Sequence, residues 1–155
     1  MNFRITLIHL RKFFLFSLIF ISSFSFMQAE EVEQERYTDL TKALENPLDV
    51  FILDLSGQEL TTLPKEIGQL KNLRELSLKW NQLVTLPKEI GRLQNLQALY
   101  LRDNQFTILP QEIGQLENLR ELRLGNNQLS FEEKERIQKL LPKCKIDFED
   151  LFIKQ

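Results

Sequence analysis

The chain is poor in the residue types on which most catalysis and metal binding depend. Its 155 residues include one cysteine, Cys144, and one histidine, His9. A single cysteine cannot form an intrachain disulfide. Because the one histidine lies near the start of the chain, the residues after it cannot form a Ser–His or Cys–His pair or a histidine-containing zinc site. The five glycines stand singly, so the sequence has no glycine-rich phosphate loop. We therefore expect no enzyme activity, no cofactor and no metal site.

The first 29 residues differ in composition from everything that follows. Three basic residues precede an uncharged apolar run over residues 13–27, and Ala29 is followed directly by an acidic stretch. This order predicts a secretory signal peptide over residues 1–29, cleaved after Ala29. The competing interpretation is an uncleaved membrane anchor, for which the run is short against about 30 Å of hydrocarbon.

The charge balance restricts the partners. Cleavage after residue 29 leaves 17 basic against 22 acidic side chains, so the net charge moves from −2 to −5. This acidity argues against nucleic-acid binding and against binding to anionic membranes. We expect no stable membrane insertion after cleavage, and an exported protein that is periplasmic, surface-located or secreted.

A unit of 23 residues recurs four times over residues 50–129. One copy reads Leu76-x-Leu78-x-x-Asn81-x-Leu83-x-x-Leu86-Pro87-x-x-Ile90-x-x-Leu93-x-x-Leu96. The same step separates three Pro-x-Glu-Ile-Gly landmarks, which begin at Pro64, Pro87 and Pro110. Self-similarity at this period predicts a stacked solenoid of the α/β class.

Each part of the unit predicts a local structure. The Leu-x-Leu alternation predicts one short strand per unit, and these strands stack in parallel about 4.8 Å apart. The asparagine after each strand can satisfy backbone groups of the turn. Proline at the first helical position, followed by glutamate and a glycine, predicts a short or 3₁₀-like outer arm.

Both ends of the array carry a predicted cap. Residues 30–49 contain an acidic segment and a short amphipathic helix from Tyr37 to Asn46. Residues 130–155 contain a helix with a capping-box start at Ser130, followed by a closing strand around Ile146. Cys144 in this cap has two interpretations, a buried apolar residue or one half of an intermolecular disulfide.

This repeat resembles the leucine-rich repeat, and its Leu-Pro-x-Glu-Ile-Gly form is similar to the secreted leucine-rich repeat proteins of pathogenic leptospiral spirochaetes. The run from Leu53 to Gln58 is the most specific part of the resemblance. The resemblance implies a short horseshoe with parallel strands on its concave face. It also implies an exported bacterial recognition protein with host components among its candidate partners, and no catalytic residue.

The outward strand positions are free to vary, and five residues at or directly after these positions predict a protein-binding site on the concave face. They are Lys79, Trp80, Tyr100, Arg102 and Arg123. Tryptophan, tyrosine and arginine are the residues that most often anchor protein interfaces. The alternative is local packing, with Trp80 folded over the neighbouring turn and Arg102 stacked on an aromatic ring.

The sequence therefore favours a non-enzymatic protein-interaction module. The alternative is a self-assembling structural component of the cell envelope, which the sequence leaves open because it does not define the oligomeric state. An enzyme would need a further domain, whereas about 26 residues follow Leu129 and resemble a cap.

Overall fold

The computed structural model describes residues 35–149, which form one parallel sheet with short helical segments. The six strands are β1 Arg36–Tyr37, β2 Ile52–Asp54, β3 Glu75–Ser77, β4 Ala98–Tyr100, β5 Glu121–Arg123 and β6 Lys145–Asp147. Each strand pairs in parallel with the next strand of the chain. The predicted α/β solenoid is confirmed, with one strand more than the sequence pattern indicates.

The core is a stack of aliphatic layers, one from each repeat. Leu76 of β3 is fully buried and lies opposite Leu53 and Leu99 of the neighbouring strands. Because equivalent leucines recur every 23 residues, each layer covers the next in register. Burying one such side chain stabilises the fold by about 2 kcal/mol, and much of this burial exists only between neighbouring repeats.

The outer arm of each of the first three repeats is a five-residue 3₁₀ helix. The three helices are Lys65–Gln69, Lys88–Arg92 and Gln111–Gln115. Pro87 has extended backbone (φ −66°, ψ 147°) and is the N-cap, which corrects the prediction that proline takes the first helical position. The arms also pack closely, since a Cβ built on Gly91 would lie 2.8 Å from the carbonyl oxygen of Glu112 in the next arm.

The asparagines that follow the strands hydrogen-bond neighbouring repeats to each other. Oδ1 of Asn104 accepts a hydrogen bond from Leu83 N–H at 3.0 Å, and its Nδ2 donates to the carbonyls of Leu78 at 2.8 Å and Leu101 at 3.1 Å. One buried amide therefore satisfies backbone groups of two neighbouring repeats. Asn81 and Asn127 make equivalent bonds, so the predicted role of these asparagines is confirmed.

A second asparagine ladder, which the sequence analysis did not assign, lies on the exposed side of the repeats. Nδ2 of Asn95 donates to the carbonyl of Lys71 at 2.9 Å. Asn72 and Asn118 make equivalent bonds one repeat before and after. The Leu-x-Asn-Leu part of the unit is therefore a second connection between repeats.

The N-terminal cap differs from the prediction. Helix α1 spans Leu40–Glu45, and Oδ1 of its N-cap Asp39 accepts from Thr41 N–H at 2.8 Å. Tyr37, which the sequence pattern assigns to this helix, lies in β1 and pairs with β2. The reason is that an N-cap residue has extended backbone and starts the helix after itself, which leaves the preceding residues free to pair with the sheet.

The C-terminal cap is built on helix α2, Phe131–Leu140. Oγ of Ser130 accepts from Glu133 N–H at 3.2 Å, as the capping box predicts. The Glu133 carboxylate, however, accepts from Leu109 N–H at 2.9 Å, and Arg136 donates to both the carboxylate and the Leu109 carbonyl. Glu133 and Arg136 thus bind the backbone of the preceding repeat, where a further repeat would otherwise continue the stack.

The predicted closing strand is β6, in which Ile146 lies opposite Leu122. Cys144 lies just before it, packs against the hydrophobic core and is a free thiol. Burial, followed by the charge of Glu121, raises the pKa of this thiol to about 11. Cys144 is therefore protonated and poorly reactive at neutral pH.

The predicted signal peptide, residues 1–29, lies outside the described residues. Within residues 35–149 no helix combines the length and the apolar character needed to cross a membrane.

Candidate protein-binding face

The concave face is formed by the strand residues that point away from the leucine core and by the residues directly after each strand. Strand pairing and the hydrogen bonds that continue it bring these residues into columns that run across the repeats. The columns are Ile52, Glu75, Ala98 and Glu121; Asp54, Ser77, Tyr100 and Arg123; and Ser56, Lys79, Arg102 and Gly125. Column neighbours lie on adjacent strands, which are about 4.8 Å apart across the sheet.

Trp80 follows the third column in a backbone conformation that is rare for its residue type. Its φ is 56°, in the left-handed region. The equivalent residues Gly57, Asp103 and Asn126 also have positive φ, so the turn imposes this conformation on each repeat. Glycine, aspartate and asparagine tolerate it, whereas a bulky residue there carries strain of order 1–3 kcal/mol. At this strained position, Trp80 is 59% exposed.

Lys79 connects Trp80 to Tyr100. Its Nζ lies 5.0 Å from the centroid of the Trp80 ring and 5.7 Å from the centroid of the Tyr100 ring. Cζ of Arg123 lies 5.8 Å from the Tyr100 centroid. Four of the five predicted site residues therefore form one cluster, whose aromatic rings and cations hold each other by cation–π contacts.

Glu121 orients Arg123 in this cluster. Its Oε1 accepts from Nε of Arg123 at 2.7 Å and lies 2.6 Å from Nη2. The hydrogen bond to Glu121 raises the pKa of Arg123. Burial, and then the negative charges of Glu121 and Glu75, raise the pKa of Tyr100, so its hydroxyl keeps its proton at physiological pH. Sequence reasoning missed Glu121, although its position beside Arg123 in the same strand could have revealed it.

Arg102 is placed differently from the other four residues. The sequence pattern predicts an outward, accessible side chain, but Arg102 is 8% exposed. The reason is its neighbour in the column, Gly125, which has no side chain to hold the next segment away. The carbonyl oxygen of Glu149 lies so close to Gly125 that a Cβ there would collide with it, and Nε of Arg102 lies 3.2 Å from the same Cβ position.

In the N-terminal half of the face, two carboxylates form ion pairs with one arginine of the same face. Arg36 Nη1 lies 3.1 Å from Asp54 Oδ2, and its Nη2 lies 3.9 Å from Glu75 Oε1. Burial works to raise the pKa of Asp54, but hydrogen bonds from Ser56 and the charge of Arg36 outweigh it and hold the pKa below its usual value. Arg36 was missed because it precedes the first repeat and reaches this face only through β1.

The chemistry of the face suits recognition. The exposed indole of Trp80 and the half-buried phenol ring of Tyr100 offer apolar area with few rotatable bonds, and the adjacent cations offer directed hydrogen bonds. Among residues 35–149, no group of three histidine, cysteine, aspartate or glutamate side chains is arranged to hold a metal ion.

Comparison with known proteins relates the chain to repeat proteins of the same architecture. Residues 18–143 match the family described as leucine-rich repeat region. A leucine-rich repeat protein of Leptospira interrogans is 61% identical, with a TM-score of 0.64, over 64% of this chain and 26% of its own length. No curated protein matches the chain.

Two more distant structures share the fold. An internalin of Listeria monocytogenes is 24% identical, with a TM-score of 0.56, over 76% of this chain and 32% of its own. A TLR13–ssRNA complex is 24% identical, with a TM-score of 0.54, over 72% of this chain and 20% of the TLR13 chain. The chain thus spans about a quarter of the Leptospira protein and a third of the internalin. With its repeats, its parallel sheet and the match over most of its length, the chain belongs to the leucine-rich repeat family.

Proposed function

We propose that this protein is a non-enzymatic, exported bacterial module that binds a protein partner through its concave face. The site consists of Lys79, Trp80, Tyr100, Arg102 and Arg123. The observation that carries the proposal is Trp80, a largely exposed indole on a strained turn. Strain at a position where glycine, aspartate and asparagine also occur gives no benefit to folding, which favours a role in binding.

The arrangement around Trp80 supports the same function. The Lys79 ammonium group lies within cation–π distance of both the Trp80 ring and the Tyr100 ring, which restrains both aromatic side chains before a partner arrives. A restrained side chain loses less conformational entropy on binding. Tryptophan, tyrosine and arginine clusters of this kind supply most of the binding free energy in protein interfaces.

A protein partner fits the face better than a nucleic acid does. Carboxylates of Asp54, Glu75, Glu121 and Asp147 are interleaved with the cations, and a phosphate backbone needs an uninterrupted basic surface. Export rests on the signal peptide predicted over residues 1–29. The similarity to a Leptospira interrogans protein makes host extracellular proteins the first class of partner to test.

The test is capture of partners by the immobilised protein from host extracellular matrix and from bacterial envelope extracts. The double variant Trp80→Ala/Tyr100→Ala should lose at least tenfold in affinity for any partner captured. Phe131→Ala is the matched control, because Phe131 is an aromatic residue that is 71% exposed outside the concave face. Equal binding by the double variant and the control would refute the assignment of the site. Sedimentation of the same samples would detect self-assembly as the competing function.

A further inference from the structure

Strand β6 forms one edge of the sheet in the part of the chain that the structure describes. Lys145 N–H donates to the Arg120 carbonyl at 2.8 Å, and the Asp147 carbonyl accepts from Leu124 N–H at 2.7 Å. These bonds direct the backbone groups of Lys145 and Asp147 toward β5. Because consecutive residues of a strand direct their backbone groups to opposite sides, the N–H and C=O of Ile146 point away from the sheet. An edge of this kind can receive another strand.

The side chains of β6 carry opposite charges on either side of Ile146. Lys145 lies opposite Glu121 and Asp147 lies opposite Arg123, so both point to the concave face. Lys145 is exposed and forms no ion pair with another residue between 35 and 149. Glu121 and Arg123 bind each other, which leaves the Lys145 ammonium without a carboxylate of its own. The strand thus has a positive side chain before its central apolar residue and a negative one after it.

We propose that two copies of this protein form a dimer by antiparallel pairing of their β6 strands about a two-fold axis at Ile146. In this register Ile146 lies opposite Ile146 of the second copy, and the two residues exchange both backbone hydrogen bonds. Lys145 of each copy lies opposite Asp147 of the other, which gives two cross-strand ion pairs on the concave side. A two-fold axis at Lys145 or at Asp147 would bring like charges together, and the backbone groups of those residues are already bonded to β5.

Charge also disfavours an open, head-to-tail assembly. Strand pairing places Arg36 of β1 in the same column as Glu121 and Lys145. If β1 of a further copy continued the parallel register beyond β6, Arg36 would lie beside Lys145, and like charges in neighbouring strands repel. Antiparallel pairing uses both β6 edges, so the assembly closes at two copies. The dimer is therefore distinct from the open assembly that would compete with the proposed function.

The C-terminal cap leaves room for this pairing. Helix α2 follows β5 and stacks on the third outer arm, since a Cβ built on Gly114 would lie 3.2 Å from Cδ2 of Leu140. The helix therefore belongs to the layer of β5, and three strand spacings of about 4.8 Å separate the β5 layers of the two copies. The resulting separation of about 14 Å is larger than the roughly 8–10 Å between packed helices, so the two α2 helices do not collide.

The dimer goes beyond the proposed function and does not depend on it. Side chains that lie opposite each other in an antiparallel pair project to the same face, so the two concave faces open on one side of a continuous sheet. A partner that carries the same epitope twice is then bound at both faces, which raises its apparent affinity without any new contact.

The experiment is sedimentation velocity of the protein, as exported by a bacterial expression host, over a series of concentrations. Because β6 has three residues, the interface is small, and we expect a dissociation constant on the order of micromolar. Lys145→Asp puts a carboxylate opposite Asp147 of the other copy, and Asp147→Lys puts an ammonium group opposite Lys145. Each variant alone should dimerise at least about tenfold more weakly. An equimolar mixture of the two variants should restore dimerisation, because every cross-strand pair is again of opposite charge.

Two further sets of variants control for effects on the fold. Lys65→Asp makes the same charge change at an exposed residue of the first outer arm and should leave dimerisation unchanged. Asp147→Lys also removes the hydrogen bond that Asp147 accepts from Glu149 N–H. If this variant melts at a lower temperature, Lys145→Gln and Asp147→Asn take the place of the charge reversals. Each should weaken the dimer by a smaller factor, and mixing them should not restore it.

Three results would overturn the dimer. They are a monomer at concentrations well above the micromolar range, dimers that both charge reversals leave unchanged, and a mixture of the two variants that stays monomeric. Growth beyond two copies with rising concentration would identify an open assembly and would overturn it as well. Trp80→Ala/Tyr100→Ala should leave the dimer intact. Loss of partner binding in that double variant therefore tests the concave site, and loss of the dimer in Lys145→Asp tests the β6 edge.

Discussion

The left-handed backbone at Trp80 makes a prediction about stability that is independent of any partner. We compare Trp80→Ala with Trp80→Gly. Both variants lose the same indole and the same contact with Lys79, so these losses cancel in the comparison. The variants differ by one Cβ atom on a residue with φ of 56°. Their difference in free energy of unfolding therefore reports on the backbone conformation alone.

The sign and the size of this difference follow from glycine's properties. An L-residue with a Cβ pays roughly 1–2 kcal/mol in the left-handed region. Glycine avoids this cost but loses about 0.5–1 kcal/mol more conformational entropy on folding. We expect Trp80→Gly to be more stable than Trp80→Ala by about 1 kcal/mol, which corresponds to roughly 4 °C in melting temperature for a domain of this size. Urea unfolding monitored by circular dichroism measures the difference.

The control is the same pair of substitutions at Glu135, an exposed residue inside helix α2. There glycine should be less stable than alanine by about 1 kcal/mol, so the sign reverses between the two positions. If alanine proved equal to glycine or better at position 80, the turn would not hold Trp80 in the left-handed region. The argument that strain at Trp80 marks a binding role would then fail.

Three further predictions follow from hydrogen bonds and burial. Asn104→Ala should lower the free energy of unfolding in urea by about 2–4 kcal/mol, because it leaves buried backbone groups unpaired. Asn118→Ala, on the exposed asparagine ladder, should lower it by about 1 kcal/mol or less. Burial works to raise the pKa of Glu133, but the hydrogen bonds from Arg136 and from Leu109 N–H, together with the charge of Arg136, hold this pKa below its usual value. The stabilisation from Glu133 is therefore present above about pH 4.5 and is lost as the pH falls through the lowered pKa. Glu133→Gln should lower the free energy of unfolding by about 2 kcal/mol at pH 7. Thermal melts of both proteins at successively lower pH should show this difference vanish. Cys144 should react with iodoacetamide at pH 8 roughly tenfold more slowly than an exposed thiol does, because its pKa of about 11 leaves little thiolate and the higher nucleophilicity of that thiolate offsets only part of the loss. A rate equal to that of a peptide thiol would contradict its burial.

The repeated part of the fold could be predicted from the sequence because every landmark is reinforced by its copies. Leu76 alone is compatible with many structures, but the same residue 23 positions before and after fixes one register for all strands. The role of Asn104 follows in the same way, since a polar residue repeated after each strand must satisfy groups that are also repeated. Periodicity therefore substitutes for the long-range contacts that a single sequence does not contain.

The ends of the array were harder to predict because no copy constrains them. Tyr37 fits a helical pattern with Leu40 and Leu44, but Asp39 caps the helix after it and Tyr37 pairs with Leu53 of β2. Glu133 illustrates the same difficulty, since its capping-box position does not indicate that its carboxylate binds Leu109. At both ends, the outcome depends on a neighbouring repeat that local patterns cannot identify.

One column of the candidate site contains both a feature that the sequence predicted and a feature that it did not. Periodicity correctly placed Lys79 and Arg102 as neighbours, because their backbone follows the repeat. It failed on the exposure of Arg102, because that depends on the missing side chain of Gly125 and on the approach of Glu149. Alternation along a strand gives the direction of a side chain but not what covers it. The burial of the Arg102 guanidinium is therefore seen only when the C-terminal cap is packed against the last repeat.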